Sequence, residues 1–182
     1  MTHYVDVKIK PTAQMKANIL LDEAYTKLHL ALHSLNSSSI GVSFPEYELV
    51  LGETIRLHGT EESLKELMDS NWLGDSSFYS ATAINNVPEN CSSFVKTARI
   101  QPKMSKSKFN RLVKRGSISK DEAKKYKIKM LQSSINNPFV VLKSASNQNM
   151  YRRYFEISKA EEKIEGSFDH FGISKTASLP NF

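Results

Sequence analysis

From Tyr4 to Lys10 polar and apolar residues alternate. Val5, Val7 and Ile9 fall on one side, Asp6, Lys8 and Lys10 on the other, and Pro11 ends the run. A period of two predicts a half-buried strand. The period then lengthens: Leu21, Ala24, Leu28, Ala31 and Leu35 recur at helical spacing, predicting a helix from about Ala13 to Leu35 with that stripe buried. Asn36 to Ser39 is a polar loop. Ile40, Val42 and Phe44 alternate up to Pro45 as a second strand, and Ile55 to His58 forms a third. Thr60 can cap a short helix whose core face is Leu64, Leu67 and Met68. Ala81 to Ile84 is a weaker fourth strand. The order β-α-β-β-α-β matches the ferredoxin-like plan, which hosts many functions and assigns none.

Phe94 to Gln101 reads as a further strand, with Phe94, Ala98 and Ile100 on one face and Val95, Thr97, Arg99 and Gln101 on the other. After Pro102, a basic helix is expected from Ser107 to Arg115, stopping at Gly116. Lys108, Arg111, Lys114 and Arg115 share one broad face of it. Ser119 with Glu122 forms a capping box that starts another helix, carrying Lys124, Lys125, Lys127 and Lys129. Phe139 to Leu142 and Tyr151 to Ile157 predict a hairpin around the polar loop Ser144 to Asn149. The expected architecture is α+β: a ferredoxin-like domain over residues 1–95, then a basic α+β domain over 96–182 with an arginine- and lysine-rich helix.

Charge sharpens that division. Residues 1–98 carry 7 basic and 12 acidic side chains, and residues 99–182 carry 18 and 7. Between Lys96 and Lys129 there are 13 Lys or Arg against only Asp121 and Glu122. Such segregation points to a polyanionic partner, nucleic acid above all. A solvated lysine-rich helix pair is the alternative. At 182 residues, 40% hydrophobic and 24% charged, the chain reads as globular, with one medium domain or two small ones. A lone cysteine, Cys91, excludes an internal disulfide and fits a reducing, cytoplasmic setting. Met1 to Tyr4 leads directly into a strand pattern, so no signal segment is expected, and no apolar run approaches a membrane span. P-loop, GxGxxG and CxxC motifs are absent from the sequence.

The chemistry-bearing residues are few. His29 and His33 are four apart and share a helix face. That spacing can hold a metal, but zinc needs further ligands, which only His58, His170 or Cys91 could supply. The competing reading makes His29 a boundary histidine beside the buried stripe, next to Tyr25. Ser144-Ala145-Ser146 offers hydroxyls without the GxSxG elbow of a serine hydrolase. Tyr151, beside basic residues, can stack on a base or pack in its strand. Arg99 and Gln101 are residue types that read base edges, or that line a solvated strand face.

Taken together, these residues resemble the subtype I-F family of CRISPR-associated endoribonucleases that process precursor CRISPR RNA. The likeness runs through His3-Tyr4, Lys27-Leu28-His29 with Ala31-Leu32, and Ile40-Gly41-Val42-Ser43-Phe44-Pro45, the most specific match. It continues in Arg99-Ile100-Gln101, the basic helix, Pro138-Phe139-Val140, Leu142-Lys143-Ser144 and Phe171-Gly172-Ile173-Ser174-Lys175. The resemblance implies that His29 is the catalytic histidine, with Ser144 near the attacking hydroxyl and Ser146 a neighbouring contact. Arg99 and Gln101 would read bases at the foot of an RNA stem, and Tyr151 would stack at its cleavage end. Arg111, Lys114 and Arg115 would lie in the stem's groove, with Lys103 and Lys108 in the same RNA-binding set. Lys114 stands where the family carries an arginine, and a lysine lacks the planar fork for base readout. Phe171, placed with the catalytic set, stands where the family usually has a tyrosine. Phenylalanine packs but cannot hydrogen-bond, so another group must orient His29: His170, Tyr25 or a water.

The function implied is cleavage of a CRISPR repeat hairpin by the RNA's own 2′-hydroxyl, leaving a 2′,3′-cyclic phosphate and a 5′-hydroxyl, with no metal or other cofactor. By the same likeness the enzyme keeps its product hairpin and joins a crRNA-guided surveillance complex, near the backbone subunit at the crRNA 3′ end. Two other readings are a non-catalytic RNA-hairpin-binding module and a basic DNA-binding protein. The step Lys114-Arg115-Gly116-Ser117 lacks the aromatics of an RNP1 stretch, which counts against an RNA-recognition motif.

Overall fold

Strand β1 (His3–Ile9) buries Val5, Val7 and Ile9, the apolar side of the alternating run. Helix α1 (Ala17–Ser34) follows, then β2 (Gly41–Ser43), β3 (Thr54–Gly59), α2 (Glu61–Asp69), β4 (Tyr79–Ala81), β5 (Asn85–Asn86) and β6 (Phe94–Ile100). The rest are α3 (Lys106–Lys114), α4 (Lys120–Gln132), β7 (Phe139–Lys143), β8 (Met150–Ala160) and β9 (Leu179–Pro180). These come from a computed structural model that describes residues 1–74, 77–101, 104, 106–132, 136–144 and 148–182. The class is α+β, as expected.

One sheet has the order β2-β3-β1-β4, with β5 also paired to β1, and every pairing in it is antiparallel. The single fourth strand expected at Ala81 to Ile84 is instead two short ones. Thr82 separates them: its hydroxyl accepts the Asp6 N–H at 3.0 Å, and its own N–H donates to the Asp6 carbonyl at 2.9 Å. Helix α1 starts later than expected because Thr12 closes a turn, its hydroxyl accepting the Met15 N–H at 3.1 Å. The helix ends before Asn36, which takes the left-handed conformation (φ 48°). Thr60 caps α2 as expected, in a reciprocal box with Ser63.

The second sheet has the order β7-β8-β6-β9, with β7 and β8 paired antiparallel from Phe139–Tyr154 to Lys143–Met150. In β6 the face that carries Arg99 is the one that turns inward at Val95 and Thr97, which are buried. Val95 packs with Phe168, Ala177 and Leu179, and β9 pairs beside it.

The chain forms two compact units, residues 1–99 with 138–182, and residues 100–137. The expected boundary between 95 and 96 falls inside β6, and the C-terminal segment packs with the N-terminal sheet. Val140, Leu142, Phe155 and Ile173 share one core with Leu20, Tyr25, Leu28 and Val42. The charge shift near Lys96 marks a change of surface; the apolar positions of β7 and β8 mark the packing. Helix α1 is the hub. Tyr25 sits edge-on to Phe155 at 5.5 Å and beside Phe44 at 6.1 Å, and Phe44 and Phe155 are 5.2 Å apart. An Asp22 carboxylate oxygen accepts the Val141 N–H at 2.9 Å, fixing the helix to β7.

Two further features anchor the first sheet. Arg56 donates to both carboxylate oxygens of Asp6, at 2.7 and 2.9 Å, and to the Phe182 carbonyl at 2.7 Å. Its guanidinium also lies over the Tyr4 and Phe182 rings, so this buried charge is paired and stacked. His58 is wholly buried, with Nε2 at 2.8 Å from the Ser43 hydroxyl. Burial first, then Arg56, lowers its pKa to about 3. An unfolded histidine titrates near 6.5, so above that pH the buried neutral ring contributes fully to stability. Between about 6.5 and 5, before the carboxylates titrate, His58 should cost about 1.4 kcal/mol per unit of acidification. Urea unfolding at stepped pH should show that slope, reduced in His58→Gln; an equal slope in both proteins would place the His58 proton elsewhere.

Candidate active site

The helical spacing of α1 puts Tyr25 and His29 one turn apart on the face that meets residues 169–173. Each takes a backbone carbonyl of that turn. The Tyr25 hydroxyl donates to the Phe171 carbonyl at 2.6 Å, and His29 Nδ1 lies 2.9 Å from the His170 carbonyl. A carbonyl only accepts, so Nδ1 carries the proton, and in the neutral ring Nε2 keeps its lone pair.

The turn itself is built to hold those carbonyls in place. An Asp169 carboxylate oxygen accepts the Phe171 N–H at 2.9 Å and the Ile173 N–H at 3.2 Å, and Asp169 and Ile173 also pair through the backbone. Gly172 has φ 69°, donates to the Asp169 carbonyl at 2.8 Å and accepts from Val42 at 2.7 Å. A side chain on Gly172 would collide with Val42, so both its conformation and its neighbour require glycine.

The third element is a stack. The Phe171 ring lies parallel to the His29 imidazole, centroids 3.6 Å apart and planes 9° apart. On the Phe171 ring also sits the Arg153 guanidinium, 3.3 Å from the centroid. Arg153 comes from β8, cross-strand from Val140, and is buried. Among the described residues, its Nε and Nη1 have no hydrogen-bond partner.

The electrostatics favour a neutral His29. Burial lowers its pKa most; the bond to the His170 carbonyl opposes that, Arg153 and then His33 add to the lowering, and Asp169 opposes it weakly. Arg99 is lowered too, first by burial and then by Arg153. A neutral imidazole with Nδ1 tied down, and with no hydrogen bond to Nε2 among the described residues, can accept a proton from a hydroxyl near neutral pH.

The other expected residues are placed unequally. Ser144 follows β7, its N–H donating to the Asn149 carbonyl and its carbonyl accepting from Gln148, both at 2.9 Å. Ser146 and Lys103 lie outside the described residues. Tyr151 opposes Leu142 and is partly buried against the main core. Arg99 is exposed near the end of β6. Gln101, Lys108, Arg111, Lys114 and Arg115 belong to the second unit and are exposed there. In that unit α3 has no buried residue. Phe109 meets Tyr126 at 5.5 Å, Lys127 lies over Phe109, and the Ser119–Glu122 box starts α4 as expected. His29 and His33 are 6.3 Å apart at 76°, and among the described residues no group of three or more His, Cys, Asp or Glu could hold a metal ion. Among the described residues no helix is long and apolar enough to cross a membrane.

Sequence reasoning left open what orients His29. Of the three candidates, His170 supplies the acceptor, through its backbone, while Tyr25 holds the next carbonyl. It missed Arg153 altogether. An arginine at a position facing inward on β8 was the available signal, hidden beside the outward Arg152.

Residues 4–182 match the family described as CRISPR-associated protein (Cas_Csy4). A CRISPR-associated endonuclease Cas6/Csy4 of Escherichia coli (strain UTI89 / UPEC) is 28% identical over 185 residues, covering 100% of both chains. A CRISPR-associated endonuclease Cas6/Csy4 of Pseudomonas aeruginosa (strain UCBPP-PA14) is 28% identical over 187 residues, again covering 100% of both. The chain belongs to this Csy4 family.

The turn's dependence on glycine can be measured. Gly172→Ala combines a left-handed backbone penalty with overpacking against Val42, together about 2–5 kcal/mol. The urea midpoint should fall accordingly, and a wild-type midpoint would mean the turn can open without cost.

Proposed function

We propose that this protein is an endoribonuclease that recognises the stem-loop of a CRISPR repeat in precursor crRNA and cuts it by attack of the RNA's own 2′-hydroxyl. The observation that carries this reading is the tethering of His29, whose Nδ1 is held by the His170 carbonyl while its pKa is lowered, first by burial, so that the Nε2 lone pair is kept. Relatives over the whole length named CRISPR-associated endonucleases support it.

In this mechanism the 2′-hydroxyl adjoins the scissile phosphate, so most of the orientational cost is already met in the substrate. His29 Nε2 takes its proton, and help of that kind is worth roughly 10²–10⁴ in rate. Ser144 holds the hydroxyl in line, Ser146 adds a contact, and Phe171 supports the imidazole. Tyr151 stacks at the cleavage end of the stem, and Arg99 and Gln101 read its lowest bases. Arg111, Lys114 and Arg115 line the stem's groove, with Lys103 and Lys108 on the phosphates. The products are a 2′,3′-cyclic phosphate and a 5′-hydroxyl, and no metal takes part. The product hairpin stays bound, and the protein joins a crRNA-guided surveillance complex beside the backbone subunit at the crRNA 3′ end, in the cytoplasm. The sheet order β2-β3-β1-β4 supports a ferredoxin-like plan for the N-terminal region that carries His29.

His29→Ala should abolish cleavage of a labelled repeat RNA while keeping hairpin binding within a few-fold. An RNA with a 2′-deoxy nucleotide just upstream of the cut should bind and remain whole, and excess EDTA should leave the unmodified RNA's rate unchanged. Cutting of the deoxy RNA, or inactivity in chelator, would defeat this mechanism. Binding by the wild-type protein without any cut would favour a simple hairpin-binding module.

Combined Arg111→Ala and Arg115→Ala should weaken binding and flatten its salt dependence. For every phosphate the variant no longer neutralises, the log–log slope should shrink by about 0.7–0.9. An intact slope would put the phosphate contacts on other residues, such as Lys124 to Lys129.

A further inference from the structure

Two arginines are buried in the first unit, and they differ in one respect. Arg56 is 8% exposed, and its guanidinium is satisfied by Asp6 and the Phe182 carbonyl. Arg153 is 5% exposed, and none of the ion pairs among the described residues includes it. Its Nε and Nη1 are unpartnered there. A buried guanidinium without a counter-ion is destabilising, so its place has to be sought in what it touches. It lies on the Phe171 ring, which is also stacked on the His29 imidazole.

We infer that Arg153 is a positioning residue for His29: its guanidinium holds the Phe171 ring flat against the imidazole, so that cation, ring and imidazole form one rigid stack. The geometry has the elements this requires. Two planar groups lie on Phe171, at 3.3 and 3.6 Å. Both neighbours of the ring are anchored independently, His29 by the His170 carbonyl and Arg153 by its place in β8 beside β7. The Phe171 backbone is held by Tyr25 and Asp169. With Nδ1 tethered, the remaining freedom of the imidazole is tilt about that bond, and the stack opposes it. The same cation disfavours a second positive charge on the imidazole. The groups facing His29 are His33 from its own helix, Arg153 from β8, and Asp169 and the His170 carbonyl from the turn; Asp169 alone of the side chains favours the proton.

The inference deepens the proposed function and rests on it for its kinetic half only. The test therefore has one arm that needs no RNA. The His29 ring is titrated by NMR in the free wild-type protein, Arg153→Met and Arg153→Lys. Single-turnover cleavage and hairpin affinity are measured beside it. In Arg153→Met the His29 titration should move to higher pH. The cleavage rate should fall by about tenfold, as expected for removing a desolvated cation–π interaction, with affinity and salt slope unchanged. Arg153→Lys keeps the charge and loses the planar fork, so it should titrate as wild type and recover only part of the rate. An unmoved titration in Arg153→Met, or wild-type cleavage by Arg153→Lys, would overturn the inference. A salt slope reduced by nearly one unit would overturn it too, by making Arg153 a phosphate contact. If Arg153→Met fails to fold, Arg153→Lys alone decides through its rate. If wild-type protein cuts no repeat RNA, the proposed function fails, while the titration still decides whether Arg153 governs His29.

Discussion

Two adjacent carbonyls, those of His170 and Phe171, are each held by a side chain of α1, and the candidate site depends on that double attachment. Tyr25 and His29 are one helical turn apart, so a single helix face can grip two consecutive residues of a distant segment. Tyr25 is wholly buried, so opening its bond would leave its hydroxyl unsatisfied in the core. Tyr25 thus anchors the turn, and His29 uses the neighbouring carbonyl the anchor places in reach. Stability and the tautomer of the imidazole come from the same few atoms.

This attachment explains why residues 138–182 return to the N-terminal sheet. The turn needs Val42 to receive Gly172, and Val42 stands beside Gly41 in β2. Gly41 in turn has no room for a side chain, with Leu179 and Phe168 against it. The segment Ile40 to Pro45 was the most specific part of the sequence likeness, and its tight packing gives that a physical reason. It is the floor on which the C-terminal turn rests.

Much of this was legible in the chain. Period two gave β1, the helical stripe gave α1, and Thr60 and Ser119 marked where α2 and α4 begin. His29 could be placed beside the buried stripe. Its partner could not, because a backbone carbonyl has no sequence signature and the acceptor lies 141 residues away. The domain boundary was misplaced for a related reason. Charge is a property of the surface, and the basic run of residues 100–137 sits between two segments that share a core. In β6 the alternation separates two faces without saying which lies inside; Val95 and Thr97 are buried, and Val95 packs with Phe168, Ala177 and Leu179. Arg153 was overlooked because arginine is ordinarily a surface residue, and only packing shows it inside.

The two units divide the physical work differently. Residues 100–137 carry eleven Lys or Arg against two acids, on a helix pair whose α3 buries nothing. Such a surface attracts a polyanion over a long range. The unit of residues 1–99 and 138–182 works by fit. There a single glycine shapes the turn whose carbonyl tethers one imidazole, and a ring lies stacked on that imidazole. Attraction spread over many exposed charges degrades gradually when residues change, whereas an imidazole orientation set by one tether is lost when that tether fails. A single exchange on α3 or α4 therefore changes one charge among many, whereas a side chain at Gly172 would collide with Val42 and disturb the turn that holds His29.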